Sequence, residues 1–437
     1  MQSAKVSAFL DAIGKELTAV DVDTHFEGCI GCGNCGHACN WFNTGGMVEM
    51  HPKNRSDMLR KIYSKHFTPT GRILRLLGLT EEVTEQDLEK LVQAFYHCCT
   101  MCGRCSLACP QGVSTRRITQ LARHGLSAAG MMPEAIRNIR QNALSTGHTF
   151  GMNYEESVGQ AVQMARSQGI EVPVDEPNAD YLLGCSAILN SRFPEIMVEG
   201  FRLLNAAGVN FTLSSKVIDT GTEVMTTVGD LTLGKKFVTA LAQEASRLNV
   251  KGVLIGECGC DMRTFLVDSY EVLGKYDIEP VYIDALLLQA AKNGRLPLQK
   301  LDMRVTYHDP CWSGRLTGYF EEARELLGMC VNKVVEMNPN REMNICCSGG
   351  AGSMRIYPST DEGMNMRRRA SKIKAAQLAQ TSVDCVVSPC TTCWLSLDDT
   401  VKCYGLPMRS IMLAEIIAKA HEAAISGRLR NSFAEVM

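Results

Sequence analysis

The sequence predicts an α+β protein in which an all-helical N-terminal domain precedes a duplicated α/β domain. Three observations support this prediction. Two cysteine ladders of equal spacing lie in the first quarter of the chain, and apolar residues at helical spacing separate them. Beyond residue 178, short β-rich runs alternate with amphipathic stretches. The same cysteine and glycine landmarks then occur twice in this second part, which indicates an internal repeat.

Length and composition restrict the class of protein. The 437 residues suffice for two or three domains with their own cores, so the 20 cysteines are not needed as disulfide staples. A net charge of -2 gives no basic surface field, and we expect no nucleic-acid partner. The sequence shows no secretory signal and no run of eighteen apolar residues. We therefore expect a cytoplasmic chain whose thiols are reduced and available to metals.

Both cysteine ladders have the spacing C-x2-C-x2-C-x3-C, which is typical of a 4Fe-4S site. In folds with two such clusters, the fourth cysteine of each ladder binds the other cluster. We therefore predict two 4Fe-4S cubanes. The predicted ligands of cluster one are Cys29, Cys32, Cys35 and Cys109. The predicted ligands of cluster two are Cys99, Cys102, Cys105 and Cys39.

Zinc is the alternative metal for closely spaced cysteines. It takes four ligands in two pairs, which explains two complete ladders poorly. Cys98 lies just outside the second ladder, and we interpret it as a packed thiol. About sixty residues with helical spacing separate the ladders, more than in a compact ferredoxin. We predict that this helical domain with its two clusters covers residues 1 to 150 and that a linker covers residues 151 to 177.

The rest of the chain is predicted to form parallel α/β layers. Its β-rich runs are residues 181–184, 209–213, 252–256, 281–283, 305–307, 344–347 and 385–387. Landmarks of a first half, residues 178–300, recur in order in a second half, residues 301–437. The corresponding positions are Cys185 and Cys311, Asp219-Thr220 and Cys346-Cys347, and finally Cys258 with Cys260 and Cys390 with Cys393. An ancient duplication explains this order better than chance.

The two halves differ in their cysteine content. The second half has a complete set, namely Cys311, Cys346, Cys347, Cys390 and Cys393. Five thiolates exceed the needs of one cubane, so they suggest either a cubane with spare thiols or an unusual cluster with a bridging sulfur. The first half has Asp219 and Thr220 instead of the central pair. Its Cys185, Cys258 and Cys260 either bind a metal centre with fewer ligands or are packed thiols that remain from a lost site.

Polar residues close to the five cysteines are candidates for proton supply or for binding an anionic substrate. They are His308, Asp309, Arg315 and Arg355. Alternatively, His308 and Asp309 only shape the turn after a strand, and Arg315 has a structural role.

Other features indicate no further site. Cys330, Cys385 and Cys403 have no motif partner, and we interpret them as buried thiols. The basic residues Arg367, Arg368, Arg369, Lys372 and Lys374 either dock an acidic partner or the membrane surface or form an ordinary solvated helix face, and we favour the solvated face. Neither a G-x-x-x-x-G-K-[ST] loop nor a G-x-G-x-x-G fingerprint occurs, so we expect no nucleotide and no flavin.

Together, these motifs resemble a known family. The ladders, the helical insert and the five-cysteine pattern are similar to those of cysteine-rich CCG-domain iron-sulfur proteins, such as the D subunit of heterodisulfide reductase. Residues 97–110 and 308–315 most resemble the catalytic iron-sulfur subunit of the membrane complex associated with dissimilatory sulfite reduction. The resemblance implies a helical ferredoxin domain and a noncubane 4Fe-4S cluster on the five cysteines. This chain differs from the family pattern in two ways. Ser348 replaces the glycine after the cysteine pair, and the gap of 42 residues between Cys347 and Cys390 is longer than usual.

Two functions fit the sequence. In the first, the chain is a thiol-disulfide oxidoreductase subunit that passes electrons through two cubanes to the five-cysteine site. A disulfide or trisulfide of a thiol substrate or a small sulfur-carrier protein is reduced or formed there, with His308 and Arg315 assisting. In the second, the chain only relays electrons from a flavin dehydrogenase of the glycerol-3-phosphate or glycolate type to quinone. We expect a haem- or quinone-linked membrane subunit that holds the chain at the cytoplasmic face of the membrane.

Overall fold

The computed structural model describes residues 3–19, 22–273, 279–360 and 363–426. The chain forms two units, each assembled from segments that are distant in the sequence. Unit 1 consists of residues 1–138, 223–232 and 348–373. Unit 2 consists of residues 139–222, 233–347 and 374–437. The four domain limits expected from the sequence stay a prediction.

Helices and parallel strands make up the described part of the chain. The helices are α1 (Ala4–Ala19), α2 (Val22–Glu27), α3 (Asn34–His37), α4 (Asn40–Gly45), α5 (Pro52–His66), α6 (Pro69–Leu76), α7 (Glu85–Val92), α8 (Arg104–Leu107), α9 (Thr115–Ala128), α10 (Glu134–Thr146), α11 (Val158–Ser167), α12 (Ala187–Arg192), α13 (Pro194–Ala206), α14 (Leu231–Arg247), α15 (Gly259–Arg263), α16 (Ile283–Lys292), α17 (Glu321–Cys330), α18 (Ser353–Ile356), α19 (Met366–Ala379), α20 (Thr391–Cys403) and α21 (Leu413–Ser426). The strands are β1 (Tyr181–Gly184), β2 (Phe211–Thr212), β3 (Gly252–Ile255), β4 (Pro280–Tyr282), β5 (Leu301–Tyr307), β6 (Val331–Val334), β7 (Cys385–Ser388) and β8 (Arg409–Met412).

The two cysteine ladders of unit 1 adopt the same local structure. Each contains a one-turn helix, α3 or α8, that begins after a glycine in the left-handed conformation. The φ angle is 80° at Gly33 and 75° at Gly103. Any other residue would be strained at these positions, since its Cβ disfavours positive φ. The repeated spacing of the sequence thus corresponds to a repeated backbone path.

A pair of long helices forms the core of unit 1. Helices α1 and α9 pack against each other through apolar side chains at helical spacing. Gly125 permits the close approach, because an added Cβ would lie 2.7 Å from the ring of Phe9. Both Phe9 and Ile13 are almost completely buried there. This packing fixes α9, which begins six residues after the second ladder ends.

Unit 2 contains two four-stranded parallel sheets with the same strand order. The first half forms β2-β1-β3-β4, and the second half forms β6-β5-β7-β8. The equal order is the result that a duplication predicts, since each strand of one half has a counterpart in the other. The predicted fold class, α+β with a duplicated α/β region, is confirmed.

The strand prediction is wrong in one place and incomplete in two others. Residues 344–347 form no strand. Instead, the side chain of Asn344 donates hydrogen bonds to Nδ1 of His308 and to the carbonyl of Asp309. Side-chain contacts thus take the place of the backbone hydrogen bonds of a strand. Strands β6 and β8 were not predicted. Both lie at the edges of the second sheet, where polar residues interrupt the apolar pattern, namely Asn332 and Lys333 in β6 and Arg409 and Ser410 in β8.

The sheets of unit 2 place the cysteines at the carboxyl ends of their central strands. Cys185 directly follows β1, and Cys258 follows β3. In the second half, Cys311 follows β5 and Cys390 follows β7. Parallel α/β sheets generally carry their sites at this edge, because the loops that follow adjacent central strands meet there.

Candidate iron-sulfur sites

The two ladders exchange their last cysteines within unit 1. A small cavity is lined by the cysteines predicted for cluster one, Cys29, Cys32, Cys35 and Cys109. Cys39, the last cysteine of the first ladder, instead lies beside the second ladder. Its burial raises its pKa, and the neighbouring thiols of Cys102 and Cys99 raise it further. The fold therefore brings together the two crossed sets that the spacing predicts.

A buried cation shows that the second set suits a negatively charged group. Arg55 on α5 is 3% exposed, and its Nη1 donates to the carbonyls of Met50 and Cys98 at 2.7 Å each. Burial disfavours its charge, yet the nearby cysteines outweigh this effect, and the pKa of Arg55 is raised. Among the described residues, it has no carboxylate partner. An unpaired buried cation costs several kcal/mol, and a thiolate-ligated cluster would supply the compensating charge.

The thiols of this set also have the donors that cluster sulfurs require. The backbone N-H of Met101 points at Sγ of Cys99 at 3.4 Å. The hydroxyl of Thr115 lies 2.7 Å from Sγ of Cys105. Burial raises the pKa of Cys105, so its free thiol keeps its proton until a metal displaces it. These donors and this chemistry fit a 4Fe-4S group.

Sequence reasoning missed Arg123, which joins the second ladder to the other segments of unit 1. Its guanidinium is completely buried and lies 4.6 Å from the ring centroid of Tyr96. The guanidinium donates to the carbonyls of Phe95, Cys99, Thr227 and Ala351 at 2.8 to 3.1 Å. The sequence carries no signal for this role, because α9 also contains Arg116, Arg117, Gln120 and His124.

Three predicted residues converge in the second half of unit 2. Sγ of Cys347 lies 3.4 Å from Sγ of Cys393. The imidazole of His308 offers a ring nitrogen within 4.8 Å of both sulfurs. All three residues are buried, and apolar side chains such as Leu378 and Leu397 pack around the two cysteines. The arrangement is compact enough to bind a metal and is shielded from water.

The remaining three cysteines of the five occupy the adjoining loops. Cys390 is the N-cap of α20, and a hydrogen bond between its thiol and Cys393 lowers its pKa in spite of its burial. Cys346 is buried and directly precedes Cys347. Cys311 is half-buried and begins the single helical turn that follows His308.

A chain of hydrogen bonds fixes the orientation of His308. Nζ of Lys374 donates to Oδ1 of Asn344 at 2.9 Å, which leaves the Asn344 amide nitrogen to face Nδ1 of His308 at 3.1 Å. Nδ1 therefore accepts, and the neutral ring carries its proton on Nε2. Burial, together with the charge of Lys374, holds the pKa of His308 well below its usual range. The imidazole is thus a neutral N-H donor close to the sulfurs.

Arg315 and Asp309 make structural contacts around this site. Nε of Arg315 donates to the carbonyl of Glu342 at 2.6 Å, and its Nη2 donates to that of Asn344. Asp309 pairs with Arg324 at 2.6 and 2.9 Å. These contacts hold the loop that leads to Cys346. A role of Arg315 towards a substrate stays a prediction, and Arg355 lies 4.0 Å from Glu223 within unit 1.

The interpretation of residues 367–374 as a solvated helix face is wrong at two positions. Arg367 and Lys374 are both completely buried. Nε of Arg367 donates to the carbonyl of Tyr357 at 2.8 Å. Burial lowers the pKa of Lys374 to about 7, although the thiols of Cys347 and Cys346 oppose the shift. The pattern alone gave no hint of this, because charges on a helix are usually exposed.

The first half of unit 2 buries carboxyl groups at the corresponding positions. Asp219 accepts hydrogen bonds from the backbone N-H and the hydroxyl of Thr149 at 2.8 and 2.9 Å. Asp261 accepts from the hydroxyl of Thr220 at 2.8 Å, and burial raises its pKa to about 7. Within the described part of the chain, no three metal-ligating atoms of this half lie within 4.8 Å of one another. Both interpretations of Cys185, Cys258 and Cys260 therefore stay predictions.

A largely apolar cavity of about 90 Å³ lies against the same half. Cys185, Glu257 and Asp284 supply part of its wall, and Pro389 of the second half borders it. Burial raises the pKa of Asp284 to about 6.

The cysteines without motif partners follow the prediction in most cases. Cys98, Cys330 and Cys385 are buried, and burial raises the pKa of Cys98 to about 11. Cys403, the last residue of α20, is only half-buried.

Two protein-family models match the chain. A 4Fe-4S dicluster domain matches residues 25–113, and a cysteine-rich domain, CCG, matches residues 305–398. The chain thus contains both a 4Fe-4S dicluster domain and a CCG domain, as the resemblance implies. The dicluster match covers both ladders, and the CCG match covers all five cysteines of the second half. Together they indicate bound 4Fe-4S clusters and a redox protein.

Curated relatives match most of the chain. The D subunit of the dihydromethanophenazine:CoB-CoM heterodisulfide reductase of Methanosarcina barkeri is 27% identical over 398 residues, which cover 88% of this chain and 91% of the relative. EtfAB:quinone oxidoreductase of Syntrophomonas wolfei is 24% identical over 91% of this chain, which spans only 58% of that relative. Iron-sulfur subunit 2 of the Hdr-like menaquinol oxidoreductase of Archaeoglobus fulgidus is 22% identical over 78% of this chain and 69% of the relative. The resemblance to the D subunit of heterodisulfide reductase is confirmed.

None of the helices in the described ranges combines the length and the apolar character needed to cross a membrane.

Proposed function

We propose that this chain is an iron-sulfur subunit of a heterodisulfide reductase-like complex and that the five-cysteine site of its second half reduces or forms a sulfur-sulfur bond. The observation that carries the proposal is the buried convergence of Cys347, Cys393 and His308. The length of the match to the D subunit of the Methanosarcina enzyme supports it.

The proposed cofactors are two 4Fe-4S cubanes and one further, noncubane 4Fe-4S cluster. Cluster one would be held by Cys29, Cys32, Cys35 and Cys109. Cluster two would be held by Cys99, Cys102, Cys105 and Cys39. The third would be held by Cys311, Cys346, Cys347, Cys390 and Cys393. When bound, such groups supply storage and transfer of single electrons.

The proposed reaction converts a disulfide R-S-S-R′ to two thiols. It breaks the sulfur-sulfur bond and consumes two electrons and two protons, and the reverse direction releases them. His308 would hold a proton at Nε2 for a leaving thiolate, because its Nδ1 faces the amide of Asn344. A haem- or quinone-linked subunit would exchange the electrons and keep the chain at the cytoplasmic face of the membrane.

Electron paramagnetic resonance of the oxidised protein, with and without 2-mercaptoethanol as the probe thiol, tests this proposal. We expect a thiol-dependent signal that Cys347→Ala abolishes. A spectrum that the thiol leaves unchanged, or a signal that survives the substitution, would contradict thiol chemistry at this site. Iron analysis supplies a second criterion, since three clusters require about twelve iron atoms per chain and two require about eight.

A relay without substrate chemistry is the second candidate function. It is favoured by the surface position of the cluster-one cysteines, since Cys32 is exposed and Ile30 beside it is 67% exposed. An exposed edge of this kind suits electron exchange with a protein such as a flavin dehydrogenase. The match to EtfAB:quinone oxidoreductase supports the same view. Oxidation of the reduced protein by a quinone analogue but not by any alkyl disulfide would favour the relay.

A further inference from the structure

A group of large apolar side chains is exposed on α6 and the turn that follows it. They are Ile73 at 57%, Leu74 at 37%, Leu76 at 88%, Leu77 at 64% and Leu79 at 68% exposure. Single exposed leucines are ordinary, whereas a contiguous group of this kind marks an interaction surface. We name residues 69–79 the α6 ridge.

The α6 ridge has a defined shape because both ends of its helix are capped. At the start, the side chain of Thr68 accepts a hydrogen bond from the backbone N-H of Gly71. At the end, Gly78 adopts a φ of 69°, and the N-H of Leu79 donates to the carbonyl of Leu74 at 2.9 Å. This is the Schellman pattern, which closes a helix with its last carbonyls satisfied.

Helix α6 also packs tightly on the helix before it. A Cβ added to Gly71 would lie 1.9 Å from the carbonyl oxygen of Ser64 on α5. The glycine therefore allows α6 to rest directly on the backbone of α5. The exposed leucines belong to a firmly held helix, so their exposure is a property of the fold rather than of a frayed end.

Basic residues flank the α6 ridge. Residues 58–80 contain Arg60, Lys61, Lys65, Arg72 and Arg75 but no aspartate or glutamate. Glu81 and Glu82 follow, and Glu82 lies 3.6 Å from Arg75 in a partly exposed pair, a kind of pair that is weak at a protein surface. Arg72 and Arg75 lie three residues apart and share one side of α6, next to the arc formed by Ile73, Leu76 and Leu77. An apolar arc with a basic border is the pattern of helices that lie in a lipid interface, where the cations meet anionic headgroups.

We propose that the α6 ridge binds directly to an anionic lipid surface, with its leucines in the headgroup region and Arg72 and Arg75 at the phosphates. A single eight-residue helix and one turn present far less area than the roughly 1,600 Å² of a standard protein interface. The apolar arc and the basic border both suit lipid. This contact goes beyond the proposed function, in which only a partner protein holds the chain at the membrane.

Co-sedimentation of the cluster-loaded full chain with vesicles tests the proposal. We expect binding to vesicles of phosphatidylcholine with one quarter phosphatidylglycerol at low salt, and weaker binding to phosphatidylcholine alone or at high salt. The triple variant Leu76→Ser, Leu77→Ser and Leu79→Ser should reduce the partition coefficient by about tenfold or more. Leu144→Ser is the matched control, because Leu144 is 53% exposed on α10, outside the ridge.

A charge variant separates the two contributions. Arg72→Gln with Arg75→Gln should weaken binding to the anionic vesicles severalfold and leave the weaker binding to phosphatidylcholine unchanged. Visible absorbance of the clusters verifies that every variant is intact.

The proposal is wrong if the wild-type chain does not bind anionic vesicles, or if the triple variant binds them as the wild type does. A third outcome also contradicts it. If the wild type does not bind vesicles and the triple variant elutes from size exclusion as a smaller species than the wild type, the ridge joins two protein chains. None of these outcomes depends on disulfide reduction, so they leave the proposed function untouched.

Discussion

The first and second halves of unit 2 share a strand order but bury different chemistry at the same strand ends. The second half gathers thiols and a neutral imidazole around Cys347 and Cys393. The first half has carboxyl groups that accept hydrogen bonds from threonines, as Asp261 does from Thr220. A buried polar site can persist after its original chemistry is lost, provided that new hydrogen bonds satisfy its groups.

The largest expected difference between the two halves is the loss of iron when one cysteine is replaced. We expect Cys347→Ala to lower the iron content from about twelve to about eight atoms per chain, since one cluster loses a ligand from its centre. Cys258→Ala in the first half is the control, and its iron content should equal that of the wild type if that half is a packed vestige. A loss of iron in the control would assign a metal centre to the first half.

A buried ion pair of the second half gives the next largest effect. Arg324→Met leaves the carboxylate of Asp309 buried without its partner, and we expect it to lower the free energy of unfolding by about 3 kcal/mol. The comparison is Lys251→Met in the first half, whose pair with Asp180 is exposed and whose loss should cost about 1 kcal/mol or less. Urea unfolding under anaerobic conditions measures both. Equal losses would show that the second half gains nothing from its buried pair.

The network of the first half can be tested at Asp219. Asp219→Ala removes the acceptor of two hydrogen bonds from Thr149 and one from the N-H of Gly221. We expect the free energy of unfolding to fall by about 2 kcal/mol, because buried donors lose their partner. The iron content should not change. A variant that unfolds like the wild type would mean that the carboxyl network does not stabilise this half.

The smallest expected effect is a pH dependence that belongs to the first half. The pKa of Asp284 is about 6 in the folded chain, against about 3.9 in an unfolded one. The folded state thus binds the additional proton between these values, and this contribution to stability is lost as the pH rises through 6. From pH 5.5 to 7.5, the wild type should lose about 1 kcal/mol relative to Asp284→Asn.

Unfolding midpoints at the two pH values measure this difference. Asp302→Asn, at an exposed position of the second half, is the control and should follow the wild type. Parallel pH profiles of the wild type and Asp284→Asn would contradict the assignment.

Most of the fold followed from local patterns. The ladder spacing and the alternation after residue 178 predicted the fold class, and the repeat of landmarks predicted the equal strand orders. The edge strands β6 and β8 were not predicted, because polar residues such as Lys333 and Arg409 face solvent at the two edges of the sheet. Residues 344–347 were assigned to a strand because an apolar run does not reveal whether its hydrogen bonds go to a ladder or to side chains.

The cysteines of the sites were visible in the sequence, whereas their buried cations were not. Spacing identifies a thiolate ligand because the metal fixes the distance between ligands. Arg55, Arg123 and Lys374 have no such constraint on their sequence positions. Their partners lie on other segments, for example Thr227 for Arg123 and Asn344 for Lys374, so they become recognisable only in the folded chain.

The contacts of Arg123 have a consequence for the order of events during translation. Its guanidinium needs carbonyls from Phe95, Thr227 and Ala351, so the surroundings of the second ladder are complete only after residue 351 has left the ribosome. A fragment that ends at residue 150 would carry every cysteine of both ladders and still lack two of the segments that enclose them. Cluster insertion into this protein is therefore expected late in translation or after it, even though its ligands are synthesised first.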